Sequence, residues 1–336
     1  MQSASGNCLQ NAAGYGKEGD YWNRETPTRE AIMNCIPRRQ FLQQAALATA
    51  AVASNRIVAL ADTPAGPTTT RGPGVRFGVR CPFTTNDLRK RALLLQRLGY
   101  DGIELGREYL DRSVDSILSE LKGTGIVVSA IVGSIQLLDP DPAVRAKGVE
   151  LDRKRLEMAR ALGAVAVIEV PTFGPCRFPE AAGTPGPHAV EDHLLIEGLK
   201  QLAPDVQRTG VKILLEPLAK KYTHYMNLQS HGARIIEQSG GQCTRLLSDF
   251  YHMQLEEQDI GETLTRYGKY TGYVHMADGV KRTEPGSLPF DYRPGFKALK
   301  KAGYCGWLTV ESQASDRPDA ALERALKYVR RQWQEA

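Results

Sequence analysis

From Val75 to its end the chain repeats one unit: a short, almost wholly apolar run, then a longer segment with apolar residues at helical spacing. The runs are VRFGVRC (75–81), YDGIELG (100–106), IVVSAIVG (126–133), AVAVIEV (164–170), VKILLE (211–216), TRLLSD (244–249), TGYVHM (271–276) and GWLTVE (306–311). Between them lie segments such as TNDLRKRALLLQRLG, RAKGVELDRKRLEMARALG and DAALERALKYVRRQW, the first two closing on a glycine, a natural helix stop. Continuous apolar strands alternating with amphipathic helices require a parallel sheet covered on its outer face. Eight such units in about 250 residues match an α/β fold of the (β/α)8 TIM barrel type, a single domain over 74–334. An open, doubly wound sheet is the alternative, since alternation alone does not close a barrel.

The first part of the chain reads differently. Residues 1–32 carry no periodic apolar pattern and read as disordered. Then Arg38 and Arg39 precede Phe41 and Leu42, an Ala-rich run follows, and ALA at 59–61 supplies a small-x-small cleavage site. This pattern resembles a twin-arginine export signal, which makes residues 1–61 a leader, residues 62–73 a linker, and the mature protein periplasmic or secreted. Met33 stands just before the pattern and is the expected true start. The apolar run, broken by Asn55 and Arg56, is too short to span a membrane, so no membrane association is expected once the signal is cleaved.

Of the 336 residues 42% are hydrophobic and 24% charged, and the net charge of +5 is spread without a basic block. That argues against a nucleic-acid partner. The six cysteines form no CxxC pair. Cys81, Cys176, Cys243 and Cys305 follow the leader, and the sequence leaves open whether any of them pair.

The last four apolar runs end in chemistry: Glu216, Asp249, His275 and Glu311, one βα unit apart. In a barrel these positions fall on the carboxyl face, where such enzymes place their sites. One acid at a strand end is often only the cap of the next helix. Three carboxylates and one imidazole on neighbouring strands suit one divalent metal ion, Mn2+ foremost, with Mg2+, Co2+ or Zn2+ as alternatives. Glu169 ends the fourth run and faces the same side, as a substrate contact or a cap. Glu104 ends the second run and reads as a structural acid paired with Arg80. His188 and His193, in and after the long Gly/Pro-rich loop 172–192, and His224 read as solvent-exposed residues at the mouth, and Trp307 as packing. No GxGxxG follows a strand, so no dinucleotide site is expected.

The motifs ILLEPL, LLSDFYHM, YVHMADG and AGYCGWLTVES, with GYDGIELG earlier, resemble the xylose isomerase-like barrel superfamily over roughly 74–334. The group includes sugar isomerases, ketose 3-epimerases, inosose dehydratases and apurinic endonucleases. Its ketose 3-epimerase branch implies that Glu216, Asp249, His275 and Glu311 bind the metal. It also implies that Glu216 and Glu311 exchange the substrate proton, and that His252 touches the substrate. Two positions depart from that branch. Tyr222 stands where it has a glutamate, and Lys281, followed by Arg282, where it has an arginine. Lys281 and Arg282 remain candidate substrate contacts. The resemblance implies an exported sugar isomerase or epimerase working through an enediolate on a small-molecule sugar or glycoside, with room for a homo-oligomer. A lyase or deglycosidase on 3-keto-glycosides and a non-catalytic carbohydrate-binding or partner subunit are the alternatives.

Overall fold

In the computed structural model, which describes residues 74–178, 188–279 and 281–336, the sheet is a closed barrel. Its staves are β1 (Arg76–Cys81), β2 (Gly102–Leu105), β3 (Val127–Val132), β4 (Ala166–Glu169), β5 (Lys212–Leu215), β6 (Thr244–Asp249), β7 (Thr271–Met276) and β8 (Trp307–Glu311), all paired parallel in chain order. The seam is made by β1 and β8, with Phe77 opposite Leu308 and Val79 opposite Val310, and this closure excludes the open sheet. The residues expected to form the leader and the linker, including Met33, Arg38 and Arg39, lie outside the described residues. No described helix is long and apolar enough to cross a membrane.

The covering helices are α1 (Leu88–Leu98), α2 (Val114–Leu121), α3 (Pro142–Leu162), α4 (Ala189–Thr209), α5 (Gln229–Gln238), α6 (Phe250–Glu256), α7 (Ile260–Tyr267), α8 (Arg293–Lys301) and α9 (Pro318–Glu335). Their limits follow local chemistry. The Asp87 and Asp141 side chains accept from the backbone N–H of Lys90 and Ala143 at the starts of α1 and α3. Gly99 and Gly163 close the same helices in the left-handed conformation. After β6 the unit holds two helices, because Asp249 itself caps α6 and starts it directly from the strand.

One apolar core lies between staves and helices, and a smaller one fills the barrel, drawing Ala130, Ala166, Ile168, Leu214, Leu247, Tyr273 and Trp307 from β3 through β8. Trp307 is buried packing there. Gly102 makes its room: a Cβ at that position would lie 2.5 Å from the indole. Above this layer the Tyr273 hydroxyl meets Ser129 at 2.7 Å and Thr309 at 2.8 Å. Two residues further along β7, on the same face, stands His275.

Candidate metal centre

Asp249 and Glu311 are the last residues of β6 and β8, His275 is the last but one of β7, and Glu216 directly follows β5. All four are buried, and one donor atom from each lies within 4.8 Å of the others. Parallel staves of equal hand carry their ends to one rim, so four ligand types separated in sequence arrive at one point.

His275 organises the group. Its Nε2 lies 2.7 Å from Glu104 Oε2, across the barrel on β2. Its Nδ1 faces Glu311 Oε2 at 3.0 Å and Glu216 Oε1 at 3.6 Å. Neither approach is aligned as a hydrogen bond, so this buried nitrogen has no hydrogen-bond partner. A histidine held by a carboxylate at one nitrogen and presenting the other to acids is the arrangement found at metal ligands. The oxygen-rich donor set with one imidazole fits a hard or borderline divalent cation. Glu104 keeps its expected partner, with Arg80 Nε 3.4 Å from Oε1, but it also orients His275, a role the sequence reading did not give it.

Arg282 supplies positive charge. Its guanidinium lies 3.0 Å from Asp249 Oδ2, also binds Glu311 Oε2, and rests over the Tyr251 ring at 4.7 Å. The backbone of Arg282 is left-handed, with φ of 52°. This turn brings the side chain in from one position beyond the expected one. Lys281 is exposed, and Arg282 occupies the centre in its place.

These contacts set the proton inventory of the metal-free chain. Burial pushes Glu216 up to about 7 although His275 pulls the other way. Burial would raise Glu311 too, but Arg282 and His275 override it and hold that carboxyl well below the usual range. Burial opposes charge on His275, yet Glu104 and Glu311 hold its pKa well above the ordinary imidazole value. Burial and Arg282 together drive His252 well below it, leaving a neutral ring.

His252 is buried in α6. Its Nδ1 accepts from the Ala219 N–H at 3.1 Å, which places the ring proton on Nε2, 3.4 Å from Asp249 Oδ2. The ring therefore faces the centre. Tyr222 packs edge-on against it at 5.4 Å, and Tyr251 at 5.1 Å. Lys221 donates to the Tyr251 hydroxyl at 2.6 Å. Glu169 belongs to a different group: it is buried beside Ser134, whose hydroxyl lies 3.4 Å from Glu169 and donates to Asp152 at 2.8 Å. Burial and the neighbouring Asp152 raise the Glu169 carboxyl well above its usual range. His224 is largely buried against the Glu191 carboxylate, so the expectation of solvent exposure fails for it, while His188, 36% exposed, meets the other oxygen of the same carboxylate. No disulfide forms among Cys81, Cys176, Cys243 and Cys305.

A family model described as xylose isomerase-like TIM barrel matches residues 93–332. The chain belongs to that family. Among xylose isomerase-like relatives, the 3-dehydro-D-guloside 4-epimerase of Escherichia coli is 24% identical over 253 residues, covering 74% of this chain and 96% of the relative. The L-ribulose 3-epimerase of a Methylomonas species is 29% identical over 255 residues, covering 74% and 86%. A solved 3-keto-D-glucoside 4-epimerase from E. coli superposes with a TM-score of 0.67 at 23% identity, covering 76% of this chain and 99% of that one, a likeness of fold.

Proposed function

We propose that this chain is a divalent-metal-dependent sugar isomerase or epimerase that moves a proton beside a carbonyl, with Glu216, Asp249, His275 and Glu311 as ligands. The observation that carries the reading is the placement of two buried carboxylates, Glu216 and Glu311, 3.6 and 3.0 Å from the same His275 nitrogen. Relatives named as 4-epimerases and 3-epimerases support the reaction class.

When bound, the cation, Mn2+ by preference, supplies Lewis-acid polarisation of the substrate oxygens. The chain's own groups do the rest. One of Glu216 and Glu311 takes the proton from the carbon beside the carbonyl, and the other returns it, to the opposite face of that carbon for an epimerase or to the neighbouring carbon for an isomerase. Arg282 holds Asp249 and Glu311 in place and sets a fixed positive charge beside the enediolate oxygens. The Nε2–H of His252 points at the same space and offers a donor to a sugar hydroxyl. Tyr222, partly exposed and packed edge-on against His252, offers a sugar ring an apolar face, while Tyr251 is buried beneath the Arg282 guanidinium and braces it.

The substrate class we propose is a free ketose or a 3-keto-glycoside. An exported enzyme meets few sugar phosphates, and the Arg38–Arg39 pattern supports export. The test is solvent deuterium incorporation into a panel of ketoses and 3-keto-glycosides by the Mn2+-loaded protein, followed by mass spectrometry. Exchange without loss of an aglycone supports the isomerase or epimerase. Release of aglycone would replace it by the lyase; Tyr222, standing where the 3-epimerase pattern has a carboxylate, weighs against 3-epimerisation in particular. Glu216→Gln and Glu311→Gln should each lower exchange by about 100- to 10,000-fold. A variant that binds Mn2+ normally and exchanges at the wild-type rate would remove that residue from the reaction.

A further inference from the structure

A second group of donors sits on the same rim. Cys176 lies in the connection after β4, His188 and Glu191 at the start of α4, and His224 in the connection after β5. Glu191 is 1% exposed and serves all the others. Its Oε1 lies 2.7 Å from His224 Nε2, and its Oε2 lies 3.2 Å from His188 Nδ1 and 4.0 Å from Cys176 Sγ. Donor atoms of Cys176, Glu191 and His224 all fall within 4.8 Å of one another.

The second nitrogen of His224 decides what this group needs. Nδ1 lies 2.9 Å from the Gly174 carbonyl oxygen, which can only accept, so Nδ1 carries the proton of the neutral ring. Nε2 then presents a lone pair to a carboxylate oxygen at hydrogen-bond distance. Two lone pairs in that position call for a cation, either a second ring proton or a metal ion. A backbone carbonyl fixing one imidazole nitrogen is also how proteins orient a histidine whose other nitrogen holds a metal. The thiol adds nothing to a simple carboxylate–imidazolium pair, but it completes a sulfur, nitrogen and oxygen set that zinc prefers. Zinc–ligand bonds of about 2.0–2.3 Å give tetrahedral edges of about 3.3–3.8 Å. The contacts of Glu191 with His224 at 2.7 Å and with Cys176 at 4.0 Å lie on either side of that range, and His188, which of these donors meets only Glu191 Oε2 at 3.2 Å, must turn toward the others to complete the set.

We propose that Cys176, Glu191 and His224, whose donor atoms cluster, are joined by the neighbouring His188 as fourth ligand in a second, structural zinc site. Four protein donors leave no open position for substrate or water. The ion ties the connection after β4 to the first turn of α4 and to the connection after β5. These two connections already meet through Gly174 N–H to the Tyr222 carbonyl at 2.8 Å, and Tyr222 packs on His252. The site thus braces one wall of the mouth without taking part in the chemistry, and it stands or falls independently of the proposed function.

The test uses the full chain, stripped with a chelator and titrated with Co2+. A thiolate ligand gives cobalt a near-ultraviolet charge-transfer band that carboxylate and imidazole ligands do not. We expect about two equivalents bound, one of them with the band. Cys176→Ser should abolish the band and remove one equivalent, His224→Ala should do the same, and Cys81→Ser should leave both unchanged. Glu216→Gln combined with Asp249→Asn should remove the other equivalent and keep the band. Zinc at about ten times its Kd should displace the cobalt band and slow iodoacetamide alkylation of Cys176 roughly tenfold, read by peptide mass mapping. One equivalent with the band would keep this site and sink the centre of the proposed function. No band in the wild type, a band that survives Cys176→Ser, or alkylation unaffected by zinc would reduce the cluster to an ion pair.

Discussion

The contact between Glu104 and His275 makes a quantitative demand on the centre. At 2.7 Å it is a charge-assisted hydrogen bond between buried partners, the class worth about 1.5–3 kcal/mol. If it holds the imidazole with Nδ1 free for the ion, that energy is expressed in metal affinity, and 1.4 kcal/mol is about tenfold. Glu104→Gln keeps an oxygen that can accept from Nε2 and loses the charge, so Mn2+ affinity should fall about tenfold. Glu104→Ala removes the acceptor as well, and also leaves Arg80 without the carboxylate 3.4 Å away, so the loss should approach about 100-fold. Calorimetric titration of Mn2+ into the stripped protein measures both. Turnover at saturating Mn2+ should recover in Glu104→Gln, which separates a positioning effect from a direct part in proton transfer. Mn2+ affinity within about twofold of wild type in a folded Glu104→Gln protein would refute the argument, because a bond of that class cannot vanish from the binding free energy.

Other outcomes follow from the same geometry. Arg282→Gln strips the counter-charge from buried Asp249 and Glu311 and should destabilise the metal-free chain by about 3–5 kcal/mol; Mn2+ should then raise the melting temperature more than in the wild type, and an equal rise in both would count against the clasp. Glu216, raised to about 7, and His275, raised well above the ordinary imidazole range, both carry protons near neutrality in the metal-free chain. Ligation must expel them, so Mn2+ affinity should climb between pH 6 and 8, with protons released into a weakly buffered solution; a pH-independent Kd would contradict this inventory. For folding, the raised Glu216 contributes stability that is complete below about 4.5 and lost as pH rises through about 7, whereas the depressed Glu311 contributes stability present above about 4.5 and lost in acid, so a chelated sample should show opposing trends on the two sides. Gly102→Ala drives a methyl group against Trp307 and the Val127 carbonyl and should cost about 1–3 kcal/mol in denaturant unfolding; an unchanged midpoint would mean the indole can shift.

The eight strands and their order were legible because each apolar run is too short for a helix and is followed by one. The limits of β6 and β7 match the expected ranges TRLLSD and TGYVHM, while the expected Glu216 falls one residue past β5. The four acid or imidazole ends could be read because strand ends share a rim in any parallel barrel. What stayed hidden depends on distance or on backbone hand. Glu104 meets His275 from 171 positions away, and nothing beside it in the chain marks a partner. The only trace was an acid close to the end of its run, as in the others. Arg282 reaches the centre through a left-handed residue that is not glycine, so counting from His275 points to Lys281. His224 looked exposed because its partner, Glu191, sits in the first turn of an amphipathic helix, where an acid is ordinarily solvated.

The centre draws its donors from the ends of β5, β6, β7 and β8, and its supporting groups Glu104 and Arg80 from β2 and β1. Six of eight staves therefore converge on one small polar knot, and the pair β8 and β1 inside that set is the seam where the sheet meets itself. An ion held there acts as a hoop around the upper rim. No stave in the set can part from its neighbour without breaking a ligand or the chain from Arg80 through Glu104 to His275. Departure of the ion is then coupled to opening of the seam, and its residence time becomes a clock for how often the barrel unzips. Amide exchange along β1 and β8 should slow when the ion is bound, by the same factor at both edges.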